Sequence, residues 1–531
     1  MSSATRKGTV YAAPKRVRSK SLPLGKQEDK TMSTASTASA KGGEKGYVEI
    51  KNDMGRVFRV GETPKQILGY PRWVVIIAAW IGMMLAGLLE YTWGALSGDL
   101  AAGHNWGLGE IGWLFSTFVI FESFVQIFTG SLRNRGFLNV RWATILGGII
   151  CGVTAYGWLA VVPNGSAGAF EAFLSYAVLG GIGSGMVYSS AINIVAKWYP
   201  ERKGWRTGFV NGGWAYGAVP FIIGLGAATS AGGAPTLPLG SPFAFFTTAN
   251  GYIMFQGILM TVCIGVAGIF MKDPPKNWWP KEVDPLNWQK QSTRDLMHNQ
   301  IALKHYSLRE MWGTPQAKWI GAQYALFIGS SLFGVAFYYP FAIAMGLPGL
   351  AAIAGFAGFA LNDGIFRPFY GYLSEFIGRK NTMTFGYTMN FIFQLSTLAG
   401  GLMHNALWFV LSAIISGGFS GTNFPMTAAL VADYYGETNN AVNYGSIYAW
   451  KALGGSFASG IAGIVMTGSV FSTLSPTTPE WIRGFVFGAM LALLASLVIT
   501  FAVKRPTVQE LRRAEAKASA REKAEAGAPA R

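Results

Sequence analysis

The sequence predicts an all-α integral membrane protein with twelve transmembrane helices in two six-helix bundles. Three observations carry that reading. Of 531 residues, 51% are hydrophobic and only 13% are charged, about half the charged share of an ordinary soluble chain. Twelve mainly apolar runs each reach the ~20 residues a helix needs to cross the hydrocarbon core. Basic residues concentrate in every second connection, the pattern that alternating sidedness produces. A net charge of +17 has the right sign for nucleic-acid binding, but charged residues are too scarce for it. So apolar a chain would collapse rather than stay disordered.

Residues 1–72 form a polar, largely disordered tail that is expected to be cytoplasmic and includes the low-complexity run Ser33–Ala40. No short apolar stretch with a cleavage site marks a removable signal peptide. The basic first 30 residues resemble a transit peptide in composition, but no amphipathic period supports one. Six spans follow at about 73–97, 110–131, 142–162, 171–195, 208–228 and 251–271, making an N-terminal bundle over 73–271. A polar central loop, 272–316, contains Asp-Pro-Pro and Trp-Trp-Pro and a short surface helix near Ser307–Trp312. Spans at 317–341, 349–373, 382–402, 406–431, 441–468 and 482–503 make the C-terminal bundle, 317–503. Residues 504–531 form a second polar tail, rich in Ala, Glu, Arg and Lys, expected to be cytoplasmic and read as helical. Cys151 and Cys263 lie in apolar runs, so neither a disulfide framework nor a metal site is expected. The four histidines show no ligand spacing.

Forty of the 43 Lys and Arg residues fall in the two tails and in alternate connections. By the positive-inside rule both termini and the central loop are cytoplasmic, in a multi-pass protein of the cell (inner) membrane. The halves also echo each other. Gly130-Ser-Leu-Arg-Asn-Arg-Gly136 follows the second span and Gly371-Tyr-Leu-Ser-Glu-Phe-Ile-Gly378-Arg379-Lys380 the eighth. Trp198-Tyr-Pro-Glu201 and Tyr434-Tyr-Gly-Glu437 follow the fourth and tenth. Like motifs about 240 residues apart indicate a duplicated bundle.

This layout resembles the major facilitator superfamily, with the Gly-x-Leu segments in the place of its loop between helices two and three. Asn134 stands where that motif usually has Asp, and Glu375 replaces Asp in the second copy. In the C-terminal half, Asn362-Asp-Gly-Ile-Phe-Arg-Pro368 and Asn443-Tyr-Gly-Ser-Ile-Tyr-Ala-Trp-Lys-Ala452 resemble the oxalate/formate antiporter family. That resemblance implies a substrate-binding Arg on helix eight and a substrate-binding Lys on helix eleven.

Those residues are Arg367 and Lys451, two cations the positive-inside pattern leaves within the membrane. Each costs about 2.5–3.5 kcal/mol at a helix centre on insertion scales. At 1.5 Å per residue, Arg367 lies ~12 Å and Lys451 ~15 Å from the cytoplasmic ends of their helices. Two fixed positive charges at one depth repel unless an anion lies between them, which points to an anionic substrate. Arg367 offers a bidentate fork and Lys451 a point charge. The structural alternatives pair Arg367 with Asp363, four residues back, or let it snorkel to the interface. Lys451 has no carboxylate one helical turn away. Asp363 reads equally as a charge partner of Arg367 and as a proton-exchanging group. Glu122, with Gln126 on the same face, reads as a proton carrier or a protonated, hydrogen-bonded carboxyl, and Glu90 as a solvated vestibule residue. Tyr444 and Tyr448 share the Lys451 stripe, and Tyr188, Trp214 and Tyr216 supply amphipathic aromatic walls suited to a small carboxylate. Packing is the competing role of each.

Glycines between Gly180 and Gly185, at Gly208, Gly212, Gly213 and Gly217, and at Gly454, Gly455 and Gly460 are expected at close helix contacts. Pro220, Pro368 and Pro425 are expected at bends. No Gly-Lys-Ser phosphate loop, catalytic triad or metal cluster appears, so neither an enzyme nor a cofactor is expected. The leading expectation is a secondary active transporter of small carboxylate anions, working by alternating access in the lipid bilayer. Resemblance to the oxalate/formate family implies anion exchange, because return of an empty site with two bare charges is disfavoured. One alternative is a proton-coupled symporter of lactate, pyruvate or formate, with Asp363 or Glu122 carrying the proton. Another, of a different class, is a transporter-like membrane receptor for an anion.

Overall fold

A computed structural model describes residues 46–51, 57–228, 249–286, 302, 305–436, 439–469 and 476–526. The run Ser33–Ala40 and Glu437 of the repeated motif lie outside the described residues. Each expected span coincides with one helix or with consecutive helical pieces. In the first half these are α1 (Trp73–Ala86, Leu88–Tyr91 and Trp93–His104), α2 (Leu108–Asn134) and α3 (Val140–Ile149 and Ile150–Gly157). They continue with α4 (Gly165–Ala172, Phe173–Gly180 and Gly181–Trp198), α5 (Lys203–Tyr216 and Val219–Ala228) and α6 (Ala249–Ile269). The second half has α7 (Pro315–Ala344), α8 (Gly349–Ile377), α9 (Arg379–Leu402) and α10 (Ala406–Ser420 and Asn423–Tyr435). It closes with α11 (Asn440–Tyr448, Lys451–Gly455, Ser456–Ile461 and Ala462–Thr467), α12 (Thr478–Leu497 and Val498–Ala502) and the tail helix α13 (Val508–Ala526).

Among the described residues, nine helices are long and apolar enough to cross a membrane. The other three expected spans fall on α5 and α11, whose pieces are short, and on the more polar α9. The breaks have local causes. Those in α5 and α10 fall at Gly217–Ala218 and Gly421–Thr422, within the turn before Pro220 and Pro425, where the ring leaves no room for the carbonyl one turn earlier. Pro368 sits inside an unbroken α8.

Among the described residues, the most extensive contacts between the halves are those of α5 with α8, α2 with α11, and α1 with α7. Small residues make these crossings possible. A Cβ on Gly212 would lie 2.6 Å from the Gly364 carbonyl oxygen, and one on Gly364 would lie 2.5 Å from that of Gly212. Near the start of α2, Ser116 Oγ donates to Gly455 O at 2.8 Å and Ser459 Oγ to Gly112 O at 2.8 Å, tying α2 to α11.

The opposite, basic end is more built than a linker and a tail would be. Strands β1 (Val48–Lys51) and β2 (Val57–Val60) form an antiparallel hairpin, and β2 pairs in parallel with β3 (Trp278–Trp279) of the central loop. Trp278 stacks edge-on against Trp198 at the end of α4, 4.8 Å between centroids. The short helix Leu308–Trp312 forms where the sequence places it, opened by a Ser307–Glu310 capping box. Asp273, just beyond α6, takes Arg133 of α2 at 3.2 Å and Lys197 of α4 at 2.8 Å. Burial opposes its ionisation, but the two cations outweigh it and hold the carboxyl below the usual aspartate range. In the second half, Arg379 of the repeated motif pairs with Asp433 at 3.4 Å.

Candidate functional site

A cavity of about 1180 Å³ opens at the basic end. Arg206, Glu201, Arg379 and Asp433 ring its mouth, and Arg367, Asn211, Tyr188, Phe424 and Tyr444 line its deeper part. Arg367 belongs to α8 and its side chain is fully buried by the helices around it. Its guanidinium donates to Asp363 at 3.1–3.3 Å, to the Tyr91 hydroxyl at 3.1 Å and to the Asn211 carbonyl at 3.0 Å. It also donates to the Asn211 side-chain oxygen and lies over the Phe424 ring, 4.2 Å from its centroid. Tyr91 donates to Asp363 in turn. Spacing of four residues on α8 places Asp363 and Arg367 on one face, as the sequence allows. Tyr91 and Asn211 come from α1 and α5, so this cluster bridges the halves.

Lys451, on α11, is also buried and does not line the cavity. Its ammonium meets Glu90 of α1 at 2.8 Å and Glu122 of α2 at 3.1 Å. Tyr448, one turn before it, donates to Glu122 at 3.1 Å, and Gln126 donates to the same oxygen at 2.9 Å. The Trp214 ring stands 5.7 Å from the ammonium. Tyr188 sits between the clusters. Its hydroxyl accepts from the Asn211 amide at 2.6 Å, and its ring meets those of Tyr448 and Trp214 at 5.3 and 5.1 Å.

Seven of the residues singled out from the sequence (Arg367, Lys451, Tyr448, Tyr188, Trp214, Asp363 and Glu122) therefore fall in two adjoining clusters, whereas the Tyr216 hydroxyl accepts from Trp80 of α1 at 2.8 Å. Two expectations are corrected. Glu90 is fully buried against Lys451, not in a solvated vestibule. Nor are the cations bare: Arg367 has one carboxylate and Lys451 has two. Their mutual repulsion therefore does not by itself demand an anion: Asp363 meets Arg367 at the four-residue spacing the sequence offers, while Glu90 and Glu122 reach Lys451 from helices distant in sequence, which no such spacing reveals. Tyr91 and Asn211 were missed. Asn211 left a signal, an amide within an apolar span beside Gly212 and Gly213; Tyr91 left none.

Comparison with known proteins fits this architecture. The sequence profile described as "Major Facilitator Superfamily" matches residues 79–362 and 346–529. This chain belongs to that superfamily. It is accordingly a multi-pass membrane transporter and not an enzyme. It is 23% identical over 442 residues to the oxalate:formate antiporter of Oxalobacter formigenes, covering 82% of this chain and 92% of that protein. It is 24% identical to an uncharacterised transporter of the same superfamily from Escherichia coli (strain K12), covering 72% and 85%. Among solved structures, the xylose transporter of Escherichia coli in a partially occluded inward open conformation superposes with a TM-score of 0.59 at 12% identity. That match covers 81% of this chain and 98% of the other, and it speaks to the fold.

Proposed function

We propose that the protein is a secondary active transporter of small organic anions, a carboxylate exchanger of the oxalate/formate type. The observation that carries this is a buried guanidinium at the closed end of a deep cavity, with a buried ammonium behind one layer of aromatic rings. A carboxylate entering from the basic end meets Arg367 first, where Asn211 and Tyr91 orient the fork. Tyr188 then separates it from Lys451. Because both clusters bond α8 and α11 to the first half, occupancy changes what holds the halves together at mid-depth, which alternating access requires. The basic end is the cytoplasmic one in this reading, by the distribution of Lys and Arg.

A second reading, proton-coupled symport of a monocarboxylate such as lactate, pyruvate or formate, rests on a different observation. Asp363, Glu90 and Glu122 are three buried carboxyls set against two cations. A net buried negative charge is costly, and one proton removes it.

Radiolabelled exchange in proteoliposomes across oxalate, formate, lactate and pyruvate tests the site, comparing wild type with Arg367→Gln and Lys451→Gln. Each variant is expected to lose at least about tenfold in exchange, the equivalent of ~1.4 kcal/mol in substrate interaction. Wild-type exchange in both would remove these residues from the substrate site. An imposed pH gradient separates exchange, which ignores it, from symport, which it drives.

A further inference from the structure

We propose that Arg206 forms an outer anion-binding site at the mouth of the cavity, where a small carboxylate is held before it passes inward to Arg367. This rests on the anion-transport reading above and adds a second site to the path.

The cations at the basic end differ in what neutralises them. Lys197 meets Asp273 at 2.8 Å, Arg72 meets Glu201 at 2.8 Å and Arg379 meets Asp433 at 3.4 Å. Arg206, near the start of α5, lines the cavity and has no ion pair among the described residues. Two rings hold it instead. Its guanidinium carbon lies 4.7 Å from the Trp205 centroid and 5.2 Å from that of Tyr199. Tyr199 is itself buried and carries Arg72 as well, 4.3 Å from its centroid. An aromatic face attracts a cation through its quadrupole but brings no net charge. Arg206 is therefore positioned without being neutralised. Its Nε is buried with no acceptor, which leaves the terminal nitrogens as the part of the fork that a carboxylate can meet.

The charges around it leave this side of the mouth positive. Lys276 of the central loop lines the same mouth, also without an ion pair among the described residues. Of the carboxylates there, Glu201 and Asp433 are taken by Arg72 and Arg379. Glu375, near the end of α8, is engaged by no cation among the described residues.

The position suits a relay. Arg206 precedes Asn211 on α5 by five residues, ~7.5 Å along the axis, and Asn211 accepts from Arg367. Both line one cavity. Arg367 is the buried cation that cavity reaches, and Arg206 stands nearer the entrance. It lacks the converging carboxylate, phenol and amide that surround Arg367, so an anion held there is free to move on. A cation at a cleft entrance also raises the encounter rate of an anion, and salt weakens that effect.

The test uses the full chain in everted and right-side-out membrane vesicles, with initial rates of radiolabelled formate, lactate and oxalate exchange. Everted vesicles present the basic end to the added substrate. Ionic strength is set at about 10 mM and about 150 mM, which shortens the screening length from ~30 to ~8 Å. In everted vesicles Arg206→Gln is expected to raise KM by about tenfold at low salt with kcat little changed, and to lose most of the salt dependence seen in wild type. In right-side-out vesicles its KM is expected to match wild type. Arg206→Lys keeps the charge and is expected to keep the salt dependence, with a KM between the other two; it also serves if Arg206→Gln fails to fold. Glu375→Gln removes the negative charge across the mouth and is expected to lower KM in everted vesicles. An equal KM rise in both vesicle types, wild-type salt dependence in Arg206→Gln, or a KM rise in Glu375→Gln overturns the outer site and leaves anion transport intact. In the last case Arg206 and Glu375 would be partners in closing the mouth. Absence of any exchange in wild type overturns the transport reading, and this site with it.

Discussion

An ammonium with carboxylates at 2.8 and 3.1 Å, and a guanidinium with a carboxylate, a phenol and an amide around it, are closed electrostatic systems. Removing one partner of such a buried pair leaves an uncompensated charge and typically costs about 3–5 kcal/mol. Asp363→Asn is the sharp case, since Asp363 is the carboxylate bonded to Arg367. The variant is expected to unfold at lower temperature in detergent, and added carboxylate is expected to restore more of that loss than it adds to wild type. Thermal unfolding with and without anion measures both. Equal anion effects would mean that the freed guanidinium is not accessible to substrate.

Among elements, the crossing of α5 and α8 is the tightest constraint near the site. Gly212 and Gly364 face each other across it, and each lacks the space for a methyl group, with the opposing carbonyl only 2.5–2.6 Å from where a Cβ would stand. Backbone cannot yield as a side-chain tip can. Gly364→Ala is expected to destabilise by about 1–3 kcal/mol through overpacking. It should also reduce exchange, because separating α5 from α8 moves Asn211 away from Arg367. Thermal unfolding and exchange on the same preparation test this, and a stable variant with full exchange would show that the crossing is slack. The close-packing role expected of the glycines holds here and at Gly455, whose Cβ would meet Val119 of α2 at 2.5 Å. The expected bends hold at Pro220 and Pro425, where α5 and α10 break, but not as a break at Pro368. Local rules hold where the cause is local.

Over the whole molecule, the cavity opens at one end and the hydrogen bonds between α2 and α11 lie toward the other. A membrane-impermeant maleimide is therefore expected to label Ala432→Cys, in the cavity wall, from the side on which the cavity opens, and not to label Ser459→Cys, in the buried contact. Labelling of Ser459→Cys from either side would show that this contact opens. The paired strands Val48–Lys51 and Val57–Val60, joined to Trp278–Trp279, make the mouth partly a product of chain outside the helices. Polar composition alone had read both segments as tail and linker, because two- and four-residue strands leave no periodicity to detect.

The sequence alone determined the class, the helical spans and the identity of the buried cations, because an apolar run or an intramembrane charge is a one-dimensional signal with a large energy behind it. The motifs around Arg367 and Lys451 also placed both residues on their helices. Asp363 was legible as a partner of Arg367 from its spacing of four residues, but the counter-charges of Lys451 were not. Glu90 and Lys451 stand 361 positions apart, and no spacing rule relates them. Only the packing of α1 and α2 against α11 decided that Lys451 is neutralised by two carboxylates, and that of α1 and α5 against α8 that Arg367 is held by Tyr91 and Asn211. Charge pairing depends on distances of about 3 Å in space, and those are set by tertiary structure.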